Sequence, residues 1–304
     1  MRSGFVSFIG RPNAGKSTLL NRLIGTKVAI VSDKPQTTRN RILAVKNRPD
    51  GQIVYLDTPG IHRPLHRLNV RMVDAALETI RQVDVLGLVK DASDAFGKGD
   101  RFVLDVVKKA GTPAVLVLNK IDLMVKTRLL PLIEAYRGEH EFDDIVPVSA
   151  ETGDGVDLLE NVLLGRLPEG EPLYPVDYLT DQPERALAGE IIREKVLQHT
   201  GAELPFTTAV AIDQFQEPER EGGLLRLYAT IFVERESQKP IVIGRGGEMV
   251  KRIGTEARHD LESLFGTKVF LDLRVKVNAD WRENDRILDD LGVPRSNRRA
   301  KRDP

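Results

Sequence analysis

Residues 5–25, FVSFIGRPNAGKSTLLNRLIG, limit the possible folds of this chain more than any other stretch. Phe5 to Gly10 read as a short buried strand. Beyond the loop, apolar residues return at Leu19, Leu20, Leu23 and Ile24, the spacing of one helix face. The loop matches G-x-x-x-x-G-K-[ST] and lies between strand and helix, the only context in which that pattern grips phosphate. Gly10, Arg11, Pro12, Asn13, Ala14, Gly15, Lys16, Ser17 and Thr18 are therefore candidate phosphate-binding residues. The glycines let backbone N–H groups close around phosphate oxygens. Lys16 brings a cation to the outer phosphates, and the Ser17 hydroxyl is a magnesium ligand.

The same rhythm continues. QIVYLDTPG, DVLGLVKDAS, AVLVLNKID and DIVPVSAETG read as strands, and NVRMVDAALETIRQV, RFVLDVVKKAG and GVDLLENVLLGRL as helices. Apolar strands alternating with amphipathic helices predict an α/β domain, a mostly parallel sheet with helices on both faces. Its chemistry should lie at the carboxyl ends of the strands. A proline-rich stretch then breaks the pattern. The expected division is a nucleotide domain at 1–170, a linker at 171–183, a smaller α+β domain at 184–292 and a basic tail at 293–304. The second domain reads α-β-β-α-α-β-α, with a charged hairpin turn between its first two strands.

Three further motifs narrow the nucleotide. DTPG offers Asp57, Thr58, Pro59 and Gly60, with Asp57 holding magnesium through water and the Gly60 N–H sensing a γ-phosphate. NKID offers Asn119, Lys120 and Asp122. A carboxylate there accepts two hydrogen bonds from guanine N1 and N2, which adenine cannot supply, and the Lys120 stem would lie across the base. SAETG offers Ser149 and Ala150, whose N–H could donate to guanine O6. In this order, each after a strand, they resemble the G domain of translation-factor-class GTPases. The resemblance implies GTP/GDP and Mg²⁺ as cofactors and places switch I at SDKPQTTRNR. Thr38 is then the magnesium-reaching threonine, with Thr37 the alternative. Metal ligands would be Ser17, Thr38 and Asp57, and Lys16, Thr38, Gly60 and Asn13 would act in hydrolysis. Ile61 stands where Ras-like proteins carry a water-orienting glutamine, so the intrinsic turnover is expected to be low, on the order of 10⁻⁴ to 10⁻² s⁻¹. In potassium-stimulated relatives an asparagine at the Asn13 position ligates K⁺. Otherwise Asn13 only shapes the loop.

IVIGRGGEMVKRIG, residues 241–254, is a second glycine-rich turn before a helix, without the lysine–serine ending of a nucleotide loop. It resembles the G-x-x-G loop of KH domains, which clamps about four single-stranded nucleotides. Ile243, Gly244, Arg245, Gly246, Gly247, Lys251 and Arg252 are its candidate RNA-binding residues. Val242, Ile243, Met249, Val250 and Ile253 would form core and one groove wall. The element order resembles a type II KH domain. From Phe5 to Gly292 the chain resembles the bacterial Era GTPases, with VSDKPQTTRNRI, YLDTPGIH, FGKGD, FVERESQKPIVIG and WRENDRILDDLG as matching segments. That resemblance implies a GTP-regulated switch binding the single-stranded 3′ end of 16S rRNA in maturation of the small (30S) ribosomal subunit. It also implies peripheral association with the inner face of the membrane.

Composition sets the remaining bounds. The 304 residues suffice for two domains, and 41% apolar with 30% charged suits folded globular protein. The 45 basic and 45 acidic residues cancel, so any nucleic-acid surface must be local. The absence of cysteine excludes disulfides, thiolate metal sites and cysteine nucleophiles, suits a reducing cytoplasm, and argues against tRNA-modifying GTPases, which carry a C-terminal cysteine motif. No run reaches the roughly 18 apolar residues of a membrane span, and the N-terminus leads directly into the first motif, leaving no room for a cleavable signal. A cytoplasmic monomer is expected. The competing reading is a membrane-associated signalling GTPase whose KH domain binds a protein. Lys90 stands in a strand where an apolar residue is expected, and Trp281 is expected to anchor the last helix.

Overall fold

The computed structural model describes residues 1–32, 37, 41–58, 76–200, 204–218, 220, 222–279, 281–283, 285 and 288. Its first unit contains β1 (Arg2–Gly10), α1 (Lys16–Ile24), β2 (Ile42–Arg48), β3 (Gly51–Asp57), a helical stretch at 76–80, β4 (Val85–Asp91), α2 (Lys98–Ala110), β5 (Ala114–Asn119), α3 (Leu129–Arg137), β6 (Asp144–Pro147) and α4 (Val156–Arg166). The sheet order is β2-β3-β1-β4-β5-β6. Every pairing is parallel except β2 with β3. Val6, Phe8 and Val117 pack beneath α1 and α4, whereas Ile9, Leu88 and Leu116 pack beneath α2 and α3. Burial on both faces explains why β5 is an unbroken apolar run rather than an alternating one. From β1 the chain passes to β3 on one side and later to β4 on the other. The P-loop therefore opens at the topological switch point, where an α/β sheet leaves a crevice.

Two elements escape the sequence reading. β2 is an antiparallel edge strand with only four buried residues before polar Lys46-Asn47-Arg48, too short to separate from the preceding loop. α3 carries Pro131 in its first turn, where a missing N–H does no harm, although the residue reads as a helix breaker.

The proline-rich stretch after α4 is bound down along β2. Val45 N–H donates to Leu179 O at 2.8 Å and Thr180 Oγ1 to Leu43 O at 2.6 Å. Buried Gln52 accepts the N–H groups of Leu173 (2.7 Å) and Tyr174 (2.9 Å) on one amide oxygen. The strap covers an edge strand that would otherwise offer unpaired backbone.

The second unit contains α5 (Glu184–His199), a helical turn Leu204–Thr207, β7 (Ala209–Gln216), β8 (Leu224–Val233), α6 (Lys239–Ile243), α7 (Glu248–Phe265) and β9 (Lys268–Val277). β7 and β8 are antiparallel, and β9 joins β8 in parallel. The expected first strand begins later than read, because residues 204–207 are helical. Trp281 is fully buried and its Nε1–H donates to Thr207 O at 3.0 Å, while most of the last helix it is expected to anchor lies outside the described residues. Helix α5 is buried on nearly every side, including Arg193, Glu194 and Lys195. It packs on β7 and α7 with one face and meets the first unit with another. There Lys27 bonds Glu194 and lies 3.0 Å from Asp260, whose other partner is Lys195 at 2.7 Å. Burial alone would lower the Lys27 ammonium, but the hydrogen bonds it donates to the Glu194 and Asp260 carboxylates hold it above its ordinary value.

Candidate nucleotide site and KH groove

The loop between β1 and α1 is held in shape by its neighbours. Gly15 caps α1 at φ 88, and a Cβ there would lie 2.3 Å from Asn119 Nδ2. A Cβ on Gly10 would meet Val89 O at 2.4 Å. Neither position tolerates a side chain. Asn13 takes the left-handed conformation at φ 65, which asparagine adopts more readily than most residues. It lines one cavity together with Lys16, Ser17, Thr18, Val31 and Thr37. Lys16 Nζ lies 3.2 Å from Arg11 O and 3.5 Å from Gly10 O. Burial pushes its ammonium below the ordinary value, against the pull of Asp57. An anionic phosphate would supply the charge that this buried cation lacks. Ser17 Oγ donates to Asp57 Oδ2 at 3.1 Å, which brings a hydroxyl and a carboxylate together at the end of β3. Two hard oxygens beside a phosphate cradle suit Mg²⁺.

Asn119 braces the base side. Its Nδ2 donates to Ala14 O at 2.9 Å and its Oδ1 accepts the Ala150 N–H at 3.0 Å, joining P-loop, NKID and SAETG. The Ala150 N–H, expected to face a guanine O6, is thus shared with Asn119. Lys120 sits at φ 65 with Nζ 2.7 Å from Asp91 Oδ2. Burial would raise the Asp91 carboxyl, but hydrogen bonds from Lys120 and Ser93 hold it below its ordinary value. Asp122 is exposed on the turn Ile121–Leu123, open to a ligand edge.

Thr58 is fully buried and its Oγ1 donates to Phe8 O at 3.0 Å, so its hydroxyl ties β3 to β1. Ser149 Oγ accepts the Thr152 N–H at 3.1 Å and shapes the SAETG turn from within. Thr38, Pro59, Gly60 and Ile61 lie outside the described residues. Residues that the motifs did not single out complete the frame. Asn21 Oδ1 accepts the N–H groups of Val28 and Ala29, both at 2.9 Å, and folds the approach to the cavity. Arg22 Nε donates to Ala150 O at 3.0 Å.

The unexpected Lys90 also finds its place. It is 4% exposed, with Nζ 3.2 Å from Asp100 Oδ2 and 3.1 Å from Ala95 O. The same carboxylate oxygen accepts the Gly97 N–H at 2.8 Å and faces Arg11 Nη1 at 3.5 Å. Gly99 leaves room for Arg11, since a Cβ there would lie 2.8 Å from Nε. Thus P-loop, β4 and α2 share one buried anion. Asp100→Ala strands a buried ammonium and should destabilise the chain by about 3–5 kcal/mol. Lys90→Met also removes one partner, but the Gly97 N–H and Arg11 still face the carboxylate, so it should cost less, about 1–3 kcal/mol. Urea unfolding of both variants checks the order.

In the second unit the turn between α6 and α7 needs its glycines. Gly244, Gly246 and Gly247 have φ of 75, 55 and 85, and a Cβ on Gly244 would lie 2.6 Å from Met249 Cβ. Arg245 and Gly246 are exposed at the tip, with Ile243 half-buried beside them. Behind the tip a groove opens between α7 and the edge strand β9. Val250, Gly254, Leu271 and Leu273 give it an apolar floor, and Lys251 and Arg258 give it cations. Val242 and Ile253 are wholly core, whereas Val250 lies on the groove. Arg252 is engaged by Glu256 at 3.1 Å along its own helix. Arg258, Leu271 and Leu273 went unnoticed in the sequence because two of them lie on a strand distant from the glycine motif.

Residues 5–120 match the family model described as 50S ribosome-binding GTPase, and residues 204–282 match that of the KH domain. The GTPase Era of Geobacter metallireducens is 53% identical over 96% of this chain and 97% of its own length. That of Heliobacterium modesticaldum is 48% identical over 96% and 97%. This chain belongs to the Era GTPase family. Among solved structures, an Aquifex aeolicus Era variant bound to GDP·AlF4⁻ is 41% identical, with TM-score 0.92 over 97% of this chain and 100% of that one. An Era in complex with MgGDPNP and nucleotides 1506–1542 of 16S ribosomal RNA is 42% identical, with TM-score 0.92 and the same coverage. As an Era-family protein the chain is a GTPase, with a G domain on a mostly parallel sheet and a C-terminal KH domain. No helix among the described residues is long and apolar enough to cross a membrane.

Proposed function

We propose that this GTPase binds the single-stranded 3′-end region of 16S rRNA through its KH domain, under control of the bound nucleotide, and acts in maturation of the 30S subunit. The observation that carries the proposal is one chain holding both a guanine-nucleotide cavity and a basic-rimmed groove behind a G-x-x-G turn. The relative in complex with 16S nucleotides, similar along its whole length, supports it. In this reading residues 1–170 handle nucleotide and 184–292 handle RNA. Ser17 and Asp57 hold Mg²⁺, which neutralises phosphate charge, and Lys16 sits against the outer phosphates. Gly244, Arg245, Gly246 and Gly247 admit the RNA backbone. Lys251 and Arg258 neutralise phosphates while bases lie on Val250, Leu271 and Leu273.

The test is fluorescence anisotropy of a labelled RNA copying the 3′ end of 16S rRNA, with GDP and with a non-hydrolysable GTP analogue. Tighter binding with the analogue is expected. Equal binding would reject nucleotide control, and no binding in either state would reject the RNA reading. Nuclease-sensitive co-sedimentation with small-subunit precursors tests the assembly role.

Asn13, in the cavity beside Lys16, is the proposed K⁺ ligand. Hydrolysis should then run faster in KCl than in NaCl, and Asn13→Ala should abolish the difference. Equal wild-type rates in the two salts would remove the K⁺ reading.

A further inference from the structure

The chain between α1 and β2 is gripped at two places by α5. The Val31 N–H donates to Glu194 Oε1 at 2.8 Å. Farther on, the Thr37 carbonyl accepts a hydrogen bond from Arg193 Nη2. Val31 and Thr37 both line the cavity that holds Lys16 and Ser17. Two consecutive residues of the second unit's first helix thus set the backbone on one wall of the nucleotide cavity.

Both side chains are built into place. Arg193 is 1% exposed and Glu194 is 2% exposed. Glu190 holds the Arg193 guanidinium on two nitrogens, Nε at 2.9 Å and Nη2 at 2.7 Å. Its Nη1 makes no hydrogen bond among the described residues, so Glu190 and Thr37 fix the direction of the head. Glu194 is shared with Lys27 and Lys195. Burying charge between two folded units is expensive unless its hydrogen bonds are met. Here the two heads are directed at backbone groups of the nucleotide cavity.

GTP hydrolysis depends on placing groups around the phosphates rather than on covalent chemistry by the protein. A carbonyl held by a cation fixes its peptide plane, and a small misplacement in such a site is costly in rate. We propose that Arg193 is a positioning residue for GTP hydrolysis. From the KH side it holds the backbone at Thr37, while Glu194 holds it at Val31. Basal turnover in the full chain then depends on the docking of α5, with no RNA present.

The test uses the full-length chain without RNA. Arg193→Met keeps the buried stem and removes the head, and Arg193→Lys restores a cation and a donor. With Met, loss of a charge-assisted hydrogen bond should lower kcat by about tenfold. GDP affinity and melting temperature should hold, and Lys should recover most of the rate. Glu190→Gln, which keeps the size and one acceptor of that partly exposed partner, should lower kcat by about two- to threefold through a looser guanidinium. Unchanged kcat in both the Met and Gln variants would overturn the proposal. So would a fall in kcat matched by equal falls in GDP affinity and melting temperature, the pattern of a structural contact alone. Should the Met variant fail to fold, the Gln variant and the Lys-to-wild-type comparison of kcat against GDP affinity decide.

Discussion

Asp122→Asn should lose GTP as a substrate and gain xanthosine triphosphate. Guanine presents two donors, N1–H and the N2 amine, and the Asp122 carboxylate offers two acceptors. Asparagine keeps one acceptor and turns a second N–H towards the amine, so two donors face each other. Xanthine carries a carbonyl at that position and accepts what asparagine donates. A site built on paired hydrogen bonds rejects a mismatched partner strongly, so kcat/KM for GTP should fall by about 10³-fold or more. The residue is exposed, and the brace among Ala14, Asn119 and Ala150 does not involve it. Stability should therefore be unchanged. Steady-state hydrolysis of both nucleotides checks the exchange. An undiminished preference for GTP would show that the base is read elsewhere.

The second large effect lies at the G-x-x-G turn. Gly246 has open space where a Cβ would go, and its φ of 55 is one that aspartate tolerates. Gly246→Asp thus adds a negative charge to the tip with little change of shape. RNA affinity should fall by about 10- to 100-fold at low salt, and less at high salt, because the charge faces phosphates. Gly244→Asp adds a steric fault, since its Cβ would meet Met249 at 2.6 Å at a φ of 75. It should lose RNA binding at every salt concentration and lower the melting temperature as well. GTP hydrolysis without RNA should stay within about twofold in Gly246→Asp, because the tip does not line the nucleotide cavity. If RNA affinity survives both changes, the backbone is not clamped at this turn.

Phosphate and base chemistry were legible because they demand particular residues at short spacings. Gly10, Gly15, Lys16 and Ser17 must follow one strand, and Asn119 and Asp122 must end another. What holds those motifs was not legible. Lys90 looked misplaced until Asp100 stood beside it, and nothing in the motifs told that the Thr58 and Ser149 hydroxyls bond within the fold, to Phe8 O and from the Thr152 N–H. Gln52 is an ordinary polar residue in a strand, yet it organises Leu173 and Tyr174 from the far end of the domain. Such pairings depend on sheet order, and no periodicity along the chain encodes it. β2 was lost for a related reason. Its conformation is stabilised by β3 and by the strap across it, neither of which lies in its own seven residues.

The strap also decides what motion the chain permits. It is fastened as far as Gln182, whose Nε2 donates to Val28 O at 2.9 Å, and α5 begins at Glu184. Only Pro183 stands between, with its φ locked by its ring. That leaves a one-residue joint rather than a long tether. A movement of the second unit against the first would have to turn at this joint and release the grip of Arg193 and Glu194 on Thr37 and Val31. A helix of 16 residues is about 24 Å long, so a tilt of about 20° would carry its far end through about 8 Å. Under the proposed nucleotide control, a change beside the phosphates that tilted α5 at this joint would reach the groove behind the G-x-x-G turn as a displacement comparable to the rise of two stacked bases.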